Sequence, residues 1–334
     1  MVSMTVDPHS SCGNVLRMTW RAWATFAALC AIWGLPYFFI KLALQDLSPV
    51  CVAWGRITLA AIVLVPIAWH RGSLQKAFAH KAAVTAFAVA ELVVPFSLIA
   101  MGEQWISSSL AGILIATVPL SVVVIAPLFG VRERLGALRI AGLAIGFCGV
   151  VAIVGLDTGH GPMLWAGVVC IMISVAGYAI GPLVVERYLS DVDELGAVAA
   201  SLVVASVLLL PFAAWSAPNH IPSALSLTAV AALGIACTAL ALYLYFYLIN
   251  VAGAARASLV AYINPAVAAV IGVLLLDEPF GVATAVGMAM ILFGSWLATG
   301  KSSEASRLDA VAGLEHPPDH DQARRHEHER HAET

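Results

Sequence analysis

The stretch Thr117-Val118-Pro119-Leu120 decides the fold, because it has a counterpart, Ile263-Asn264-Pro265-Ala266, about 146 residues further along the chain. Later segments repeat at the same spacing: Arg132-Glu133-Arg134 recurs as Asp277-Glu278-Pro279, and Gly142 and Gly149 recur as Gly287 and Gly294. The second half of the sequence therefore repeats the pattern of the first half.

Ten apolar segments carry this repeat, five in each half. Hydrophobic residues make up 61% of the chain and charged residues 11%, and the mean hydropathy is +0.91; a soluble domain carries about 25% charged residues. Each segment has close to the roughly 20 residues that an α-helix needs to cross the hydrocarbon core. The predicted spans are Ala22–Leu42, Val50–Trp69, Ala82–Met101, Ser107–Phe129, Gly136–Gly155, Met163–Val185, Leu195–Trp215, Leu225–Ile249, Ala257–Leu276 and Gly281–Thr299.

The odd number of spans in each half determines the architecture. Five spans move the chain to the other side of the bilayer, so the second half is inserted in the opposite orientation. At this length only helices satisfy their own backbone polar groups in lipid. The sequence thus predicts an all-α integral membrane protein with ten transmembrane helices arranged as two inverted five-helix repeats. Such repeats are typical of secondary transporters, which bind their substrate near the midplane between the halves.

Four regions follow from this pattern: a polar N-terminal leader over residues 1–21, a first repeat over 22–155, a second repeat over 156–299 and a tail over 300–334. The tail is charged and rich in histidine, and it has no apolar period, so we expect it to be disordered. Spaced histidines can bind Zn²⁺ or Ni²⁺ weakly, but no fixed ligand set accompanies them. We expect no metal site and no cofactor.

The basic residues predict the orientation. If the N-terminus is cytoplasmic, nearly all Lys and Arg residues lie on the cytoplasmic side, as the positive-inside rule requires. Lys41 is then the one basic residue outside, and Arg56 lies within a span. We therefore expect a multi-pass protein of the plasma membrane with both termini in the cytoplasm.

Several short motifs resemble those of EamA-type transporters of the drug/metabolite transporter superfamily. They are Trp33-Gly34 with Lys41, Pro95-Phe96-Ser97-Leu98, Gly102-Glu103-Gln104, Ser107-Ser108-Ser109-Leu110-Ala111, Pro119, Glu133-Arg134 and Gly142, Gly146 and Gly149. The second half repeats them more loosely in Ala254-Ala255, Ser258-Leu259, Pro265, Glu278 and Gly287. The resemblance covers roughly residues 22–299 and implies a ten-helix carrier, typically an exporter of amino acids, metabolites or drugs.

This resemblance also implies the partners. We expect a small-molecule substrate and the lipid bilayer, and no nucleic acid. Small residues in spans five and ten suit close helix packing, so these spans either support the bundle or form the face of a homodimer.

Two charged residues within the spans are the first candidates for a substrate site. Arg56 and Glu91 lie at overlapping depths, and charges within a membrane span usually face a cavity or one another. We predict that Arg56 anchors a substrate carboxylate and that Glu91 exchanges a proton. A structural ion pair, or an Arg56 side chain that reaches outward to the interface, is the alternative. At the position that matches Arg56, the second half has Ser201. Only the first repeat therefore contributes a cationic residue at this position.

The matched prolines are the second candidate. Proline removes a backbone donor and leaves carbonyl groups free, and paired interruptions in corresponding spans point to a transporter site. We therefore assign Pro119, Pro265 and the neighbouring Asn264 to the substrate site. A packing kink without a functional role is the alternative.

Aromatic residues within the spans are the third candidate. Trp33 lies near the middle of its span, away from the interface where tryptophan is enriched. Trp33 and Tyr178 are predicted to line a cavity, with ordinary bundle packing as the alternative. Glu133 and Glu278 are expected to cap their own turns, with a role in transport as the alternative. Glu103 is expected to lie in a solvated loop at the outer mouth, with a gate contact as the alternative.

The function predicted from these features is secondary transport of a small organic metabolite by alternating access, with export and proton coupling through Glu91 as the finer expectations. An uncoupled facilitator or a channel is the alternative. An intramembrane enzyme would need a nucleophile with a base, or metal ligands, at membrane depth. The histidines before the tail all fall in loops or in the leader, and neither HExxH nor GxSxG occurs, which argues against an enzyme.

Overall fold

A computed structural model describes residues 19–131, 136–156 and 163–299. The described residues form an all-helical bundle, and ten helices, here α1 to α10, match the ten predicted spans. Nine of these described helices are long and apolar enough to cross a membrane, and α9 is a shorter apolar helix. The tail, most of the leader and Glu133 lie outside the described residues. The helices are α1 Trp20–Ala43, α2 Pro49–His70, α3 Lys81–Gly102, α4 Ser108–Phe129, α5 Ala137–Leu156, α6 Leu164–Tyr188, α7 Glu194–Trp215, α8 Ala224–Ala252, α9 Val260–Leu276 and α10 Val282–Thr299.

The two halves repeat each other in their helix starts as well as in sequence. Helix α2 begins after Ser48, whose side chain accepts a hydrogen bond from the Cys51 N–H, and α7 begins after Asp193, whose side chain accepts one from the Gly196 N–H. Such N-caps satisfy backbone donors that have no partner within the helix. Both helices have 22 residues, and each contains one proline inside the helix.

The interior of the bundle is divided into three groups of buried side chains. The largest is formed by α2, α3 and α7 and includes Ile57, Leu64 and Leu202. A second group lies mainly between α4 and α6, around Ile113 and Ile171. A smaller one joins α1, α8 and α9. Residues from both halves contribute to all three groups, so the interface between the repeats forms much of the core.

Helices α5 and α10 pack on each other through glycines, as their small residues predicted. A Cβ atom on Gly142 would lie 2.7 Å from the Gly294 carbonyl oxygen, and one on Gly149 would lie 2.8 Å from the Gly287 carbonyl oxygen. The two backbones are therefore in direct contact, and these glycines support the bundle. The homodimer stays a prediction.

Two helices contain a widened turn at matching positions. The middle of α3, Ala88–Val93, and the middle of α8, Ala232–Leu240, are π-helical. In the first, the Val94 N–H donates to the carbonyl of Val89, five residues earlier. Short π-helical segments inside α-helices are rare and frequently occur at functional sites. Because both segments lie at mid-span, they identify the centre of the bundle as the place to look for a site.

Candidate functional site

Arg56 is the central feature of the site. It lies on α2, only 8% of its surface is exposed, and its guanidinium lies 3.8 Å from the centre of the Phe96 ring. The Arg56 Nε donates to the Thr238 hydroxyl at 2.8 Å. A guanidinium has five N–H donors, and the two terminal nitrogens of Arg56 donate to no residue that the structure describes. The predicted alternative, in which Arg56 reaches outward to the interface, does not fit this geometry.

The π-helical turn of α8 positions the partner of Arg56. The Thr238 hydroxyl donates to the carbonyl of Leu233, five residues earlier, at 2.8 Å, and this leaves its oxygen lone pairs for Arg56. The two helices also approach closely at this level, since a Cβ on Gly234 would lie 2.9 Å from the Arg56 carbonyl oxygen. The widened turn and the close approach together fix the direction of the guanidinium.

Glu91 lies on the matching π-helical turn of α3. Its Oε2 atom is buried and accepts no hydrogen bond within the described part of the chain. The carboxyl group lies directly against Gly181 of α6, where any larger residue would occupy its place. No ion pair joins Glu91 to Arg56, although the structure describes both residues. The structural ion pair that the sequence left open as an alternative is therefore absent.

Two tyrosines lie near Arg56, one of which the sequence reading missed. Tyr178 on α6 is within electrostatic range of Arg56, Glu91 and Tyr37. Tyr178 shares a helix face with Ile171 and Val175, which are fully buried, yet it keeps part of its own surface accessible. Tyr178 is therefore partly buried, at the edge of the two larger groups of buried side chains. Tyr37 on α1 is the missed residue.

Trp33 lies in a different part of the bundle. Its ring packs against Tyr245 of α8, with 5.0 Å between the ring centres, and it belongs to the small group of side chains between α1, α8 and α9. Tyr178 packs against the two larger groups instead. The structure thus does not bring Trp33 and Tyr178 together on one wall.

The two prolines have different surroundings. Helix α4 is interrupted at Ala116 and Thr117, and Pro119 lies in the first turn of its second part. The Ala116 carbonyl at this break accepts a hydrogen bond from Ser295 of α10 at 3.2 Å. Pro265 lies inside the continuous helix α9, and the side-chain oxygen of its neighbour Asn264 is buried without a donor among the described residues.

The two ends of the bundle are named here by one residue each. The Asp46 end carries the chain segments after α1, α3, α7 and α9, and the His80 end carries those after α2, α6 and α8. Thr19 and Thr299, which are the first and last described residues, lie at the His80 end because the number of spans is even.

At the Asp46 end, Glu278 from the second repeat caps helix α4 of the first repeat. Its carboxylate accepts hydrogen bonds from the Ser108 N–H at 2.7 Å, the Ser109 N–H at 2.9 Å and the Ser109 hydroxyl at 2.6 Å. A carboxylate at a helix N-terminus is stabilised by the backbone donors and by the helix dipole. The sequence predicted that Glu278 caps its own turn. This was wrong, because Glu278 caps α4 of the other repeat.

Glu103 and Lys41 lie beside this contact. The Lys41 ammonium donates to the backbone carbonyls of Glu103 and Ile106, the latter at 2.7 Å. The Glu103 side chain has no exposed surface, and both carboxyl oxygens lack a donor among the described residues. The prediction of a solvated loop was therefore wrong for Glu103, because the end of α3 packs against α6 near Gly102 and Gly167.

A second contact at this end also joins the repeats, but here the carboxylate belongs to the first repeat and the helix that it contacts belongs to the second. Asp46 of the first repeat accepts hydrogen bonds from Ser223, the N-cap of α8, and from the Ser226 hydroxyl at 2.9 Å. Hydrogen bonds from Ser223 lower the pKa of Asp46 to about 2, so Asp46 is ionised at neutral pH. His220 adds a nitrogen 3.8 Å from Asp46.

The matching contact at the opposite end is weaker. Asp191 lies at the position that corresponds to Asp46, and its carboxylate is 3.3 Å from the His80 ring nitrogen at the start of α3. Both side chains are largely exposed, with 39% and 68% of their surfaces accessible. Exposed ion pairs contribute little to stability. The Arg187 guanidinium also joins the repeats at this end by donating to the Phe129 carbonyl, from an exposed position. Of these polar contacts between the repeats, the Glu278 cap is the less exposed.

The inverted repeats with a buried cationic centre between them define a membrane transporter of small solutes. The sequence pattern of the EamA-like transporter family matches residues 20–155 and again residues 165–300, and the chain belongs to this family.

Similar proteins agree with this assignment. An uncharacterized transporter of Archaeoglobus fulgidus is 27% identical over 84% of this chain and 99% of its own length. The uncharacterized inner membrane transporter YedA of Escherichia coli is 28% identical over 81% of this chain and 88% of its own. A WAT1-related chloroplastic protein of Arabidopsis thaliana is also 28% identical. A crystal structure with 18% identity and a TM-score of 0.59 covers 85% of this chain and 98% of its own, which supports the fold.

Proposed function

We propose that this transporter is a secondary carrier that moves a small organic solute with a carboxylate group across the plasma membrane by alternating access. The observation that carries the proposal is the Arg56 guanidinium, which is buried at the repeat interface and donates, among the described residues, only to Thr238. A buried charge is costly unless it is paired. A planar guanidinium pairs best with a carboxylate through two parallel hydrogen bonds, so a substrate carboxylate would complete the site.

The rest of the substrate would meet the neighbouring side chains. Phe96 already stacks on the guanidinium and holds its plane in place. Tyr37 and Tyr178 present apolar rings with a hydroxyl, which suits an organic solute with both apolar and polar parts. Asn264 on α9, whose side-chain oxygen lacks a donor among the described residues, supplies a further polar group.

The contacts at the ends of the bundle support the proposal of alternating access. Glu278 and Asp46 each join one repeat to a helix of the other, so the Asp46 end opens only when these contacts break. The corresponding contact at the other end, between His80 and Asp191, is exposed. We infer that the structure has its Asp46 end closed and that substrate enters from the His80 end, which makes export the favoured direction if that end is cytoplasmic.

The orientation can be tested directly. We expect the Asp46 end to face outward, because Lys and Arg are concentrated on the other side. In a cysteine-free background, a membrane-impermeant thiol reagent added to intact cells should label Asn219→Cys. It should label Ser190→Cys only after the membrane is permeabilised. The reverse pattern would contradict the orientation and, with it, the inference of export.

Proton coupling through Glu91 is the finer part of the proposal. Its carboxyl group lies at mid-span, and one of its oxygens is buried without a donor in the part of the chain that the structure describes. A carboxyl group exposed first to one side and then to the other can carry a proton across. Glu91→Gln should keep substrate exchange but lose its dependence on a pH gradient, because an amide cannot release a proton. Uptake into proteoliposomes with and without a pH gradient measures this. Unchanged gradient dependence would favour the uncoupled facilitator.

The substrate can be identified by a resistance screen with a strain that overproduces the protein, challenged with toxic amino acids, organic acids and drugs. Compounds that the protein renders less toxic are then tested for uptake into proteoliposomes. We expect the active compounds to share a carboxylate. A set of active compounds without any anionic group would refute the role of Arg56.

A further inference from the structure

The buried carboxyl group of Glu103 is not used by the substrate site or by the capping contacts of the Asp46 end. Glu103 follows the last residue of α3 and is fully buried. Neither of its carboxyl oxygens accepts a hydrogen bond from a residue that the structure describes. An ionised carboxylate without partners is strongly disfavoured in such a place. The closed Asp46 end thus holds an acidic group in a setting that suits its neutral form.

The nearest cation does not neutralise Glu103. Lys41 directs its ammonium to the backbone carbonyls of Glu103 and Ile106, and no ion pair forms between the Lys41 and Glu103 side chains. Glu278, the nearest acid, is committed to Ser108 and Ser109. Lys41 therefore joins the end of α1 to the segment after α3, and it makes no hydrogen bond to the Glu103 carboxyl group.

Other charged and titratable groups face Glu103 from the helices around it. They are Lys41 and Tyr37 on α1, Arg56 on α2, Cys170 on α6 near Gly102, and Glu278 after α9. Burial raises the pKa of the Glu103 carboxyl well above its usual value, against the opposing effects of Lys41 and Arg56, while Glu278 acts in the same direction as burial. The electrostatic balance agrees with the geometry.

We propose that Glu103 is a proton-binding site of the transport cycle, occupied when the Asp46 end is closed and emptied when that end opens. In the closed state the proton remains on the carboxyl group because no described residue donates a hydrogen bond to the anion. When the Glu278 and Lys41 contacts separate, water reaches the carboxyl group, which ionises and releases its proton on that side. Closing the end takes one proton back, so each opening and closing is linked to the release and uptake of one proton.

This inference rests on the proposed carrier function, and it makes protonation of Glu103 part of the step that closes the Asp46 end. It differs from the Glu91 proposal in location, since Glu91 lies at mid-span and Glu103 next to the Lys41 and Glu278 contacts. It also differs in consequence. Glu103 makes closure of the Asp46 end depend on pH even without substrate.

The test is infrared spectroscopy of the purified full-length protein in lipid nanodiscs without substrate. A protonated carboxyl group absorbs in a C=O region that is separate from that of carboxylates. At neutral pH we expect a protonated-carboxyl component that persists in Glu91→Gln, is lost in Glu103→Gln and is shifted in Glu103→Asp, which keeps a carboxyl group if the amide variant fails to fold. Asp277→Asn removes an exposed carboxylate from the same end but keeps the Glu278 cap, so it is the matched control and should leave the band in place.

The outcomes separate the two proposals. A band that is unchanged in both Glu103 variants would overturn the proton site, because the wild-type carboxyl would then be ionised. The infrared measurement needs neither substrate nor transport, so it tests the protonation of Glu103 independently of the carrier mechanism. If the band is present but no transport is found in proteoliposomes, the proposed carrier function fails while the protonated Glu103 remains.

Discussion

Replacement of Arg56 by alanine is expected to lower transport by at least about tenfold. Removing one partner of a buried, hydrogen-bonded charge pair costs about 2–5 kcal/mol, and every 1.4 kcal/mol corresponds to a factor of about ten. Arg56→Lys keeps the charge but loses the planar fork and the Nε donor to Thr238. It should therefore retain transport with a raised KM. Initial rates of uptake into proteoliposomes, for a substrate identified by the screen, measure both effects.

The matched control for Arg56 is Ser201, which occupies the corresponding position in the second repeat. Ser201 is also fully buried, and its hydroxyl donates to the Val84 carbonyl at 3.3 Å. Ser201→Ala removes a buried hydrogen bond without touching the guanidinium, so transport should change little. Equal losses in Arg56→Ala and Ser201→Ala would indicate a general packing effect. Normal transport by Arg56→Ala would contradict the assignment of the substrate site.

Glu278→Ala is expected to open the Asp46 end. The change removes the acceptor of three hydrogen bonds and leaves the buried Ser108 and Ser109 N–H groups without a partner. Each unsatisfied buried donor costs about 1–3 kcal/mol. Amide exchange in the first turns of α4 should accelerate at least about tenfold, and transport should fall because that end no longer closes. Hydrogen–deuterium exchange followed by mass spectrometry measures the first effect.

The control for this change is the neighbouring carboxylate. Asp277 is exposed and adopts a left-handed backbone conformation with φ 52°, which asparagine also tolerates. Asp277→Asn removes one charge from the same turn but keeps the cap on α4, so exchange should stay at the wild-type rate. If Glu278→Ala exchanges no faster than Asp277→Asn, Glu278 does not hold the Asp46 end closed.

The architecture could be predicted from the sequence because hydrophobic length and the internal repeat are properties of whole segments. All ten predicted spans correspond to helices, and the repeat explains why Pro66 and Pro211 lie inside matching helices. Arg56 could be found because a charge within an apolar span is conspicuous in the sequence. Burial of Glu103 could not be found, because it depends on how closely α3 and α6 approach each other.

The site depends on tertiary geometry that the sequence does not express. Nothing in the residues of α8 signals its π-helical turn, yet that turn directs the Thr238 hydroxyl toward Arg56. Tyr37 was missed because an aromatic residue near the end of a span is typical of the membrane interface. Trp33 was assigned by its depth alone, and depth does not say which helix a side chain faces.

Counterflow in proteoliposomes tests the central claim, that this protein is an alternating-access carrier, most directly. Vesicles loaded with unlabelled substrate are diluted into a trace of labelled substrate, and the internal label is followed over time. A carrier exchanges internal unlabelled substrate for external labelled substrate, so the internal label should rise transiently above its equilibrium level. The initial rate of label uptake should saturate as the substrate concentration increases. Arg56→Ala should show no overshoot. Label that approaches equilibrium without an overshoot, at a rate proportional to concentration, would show a channel and contradict the account.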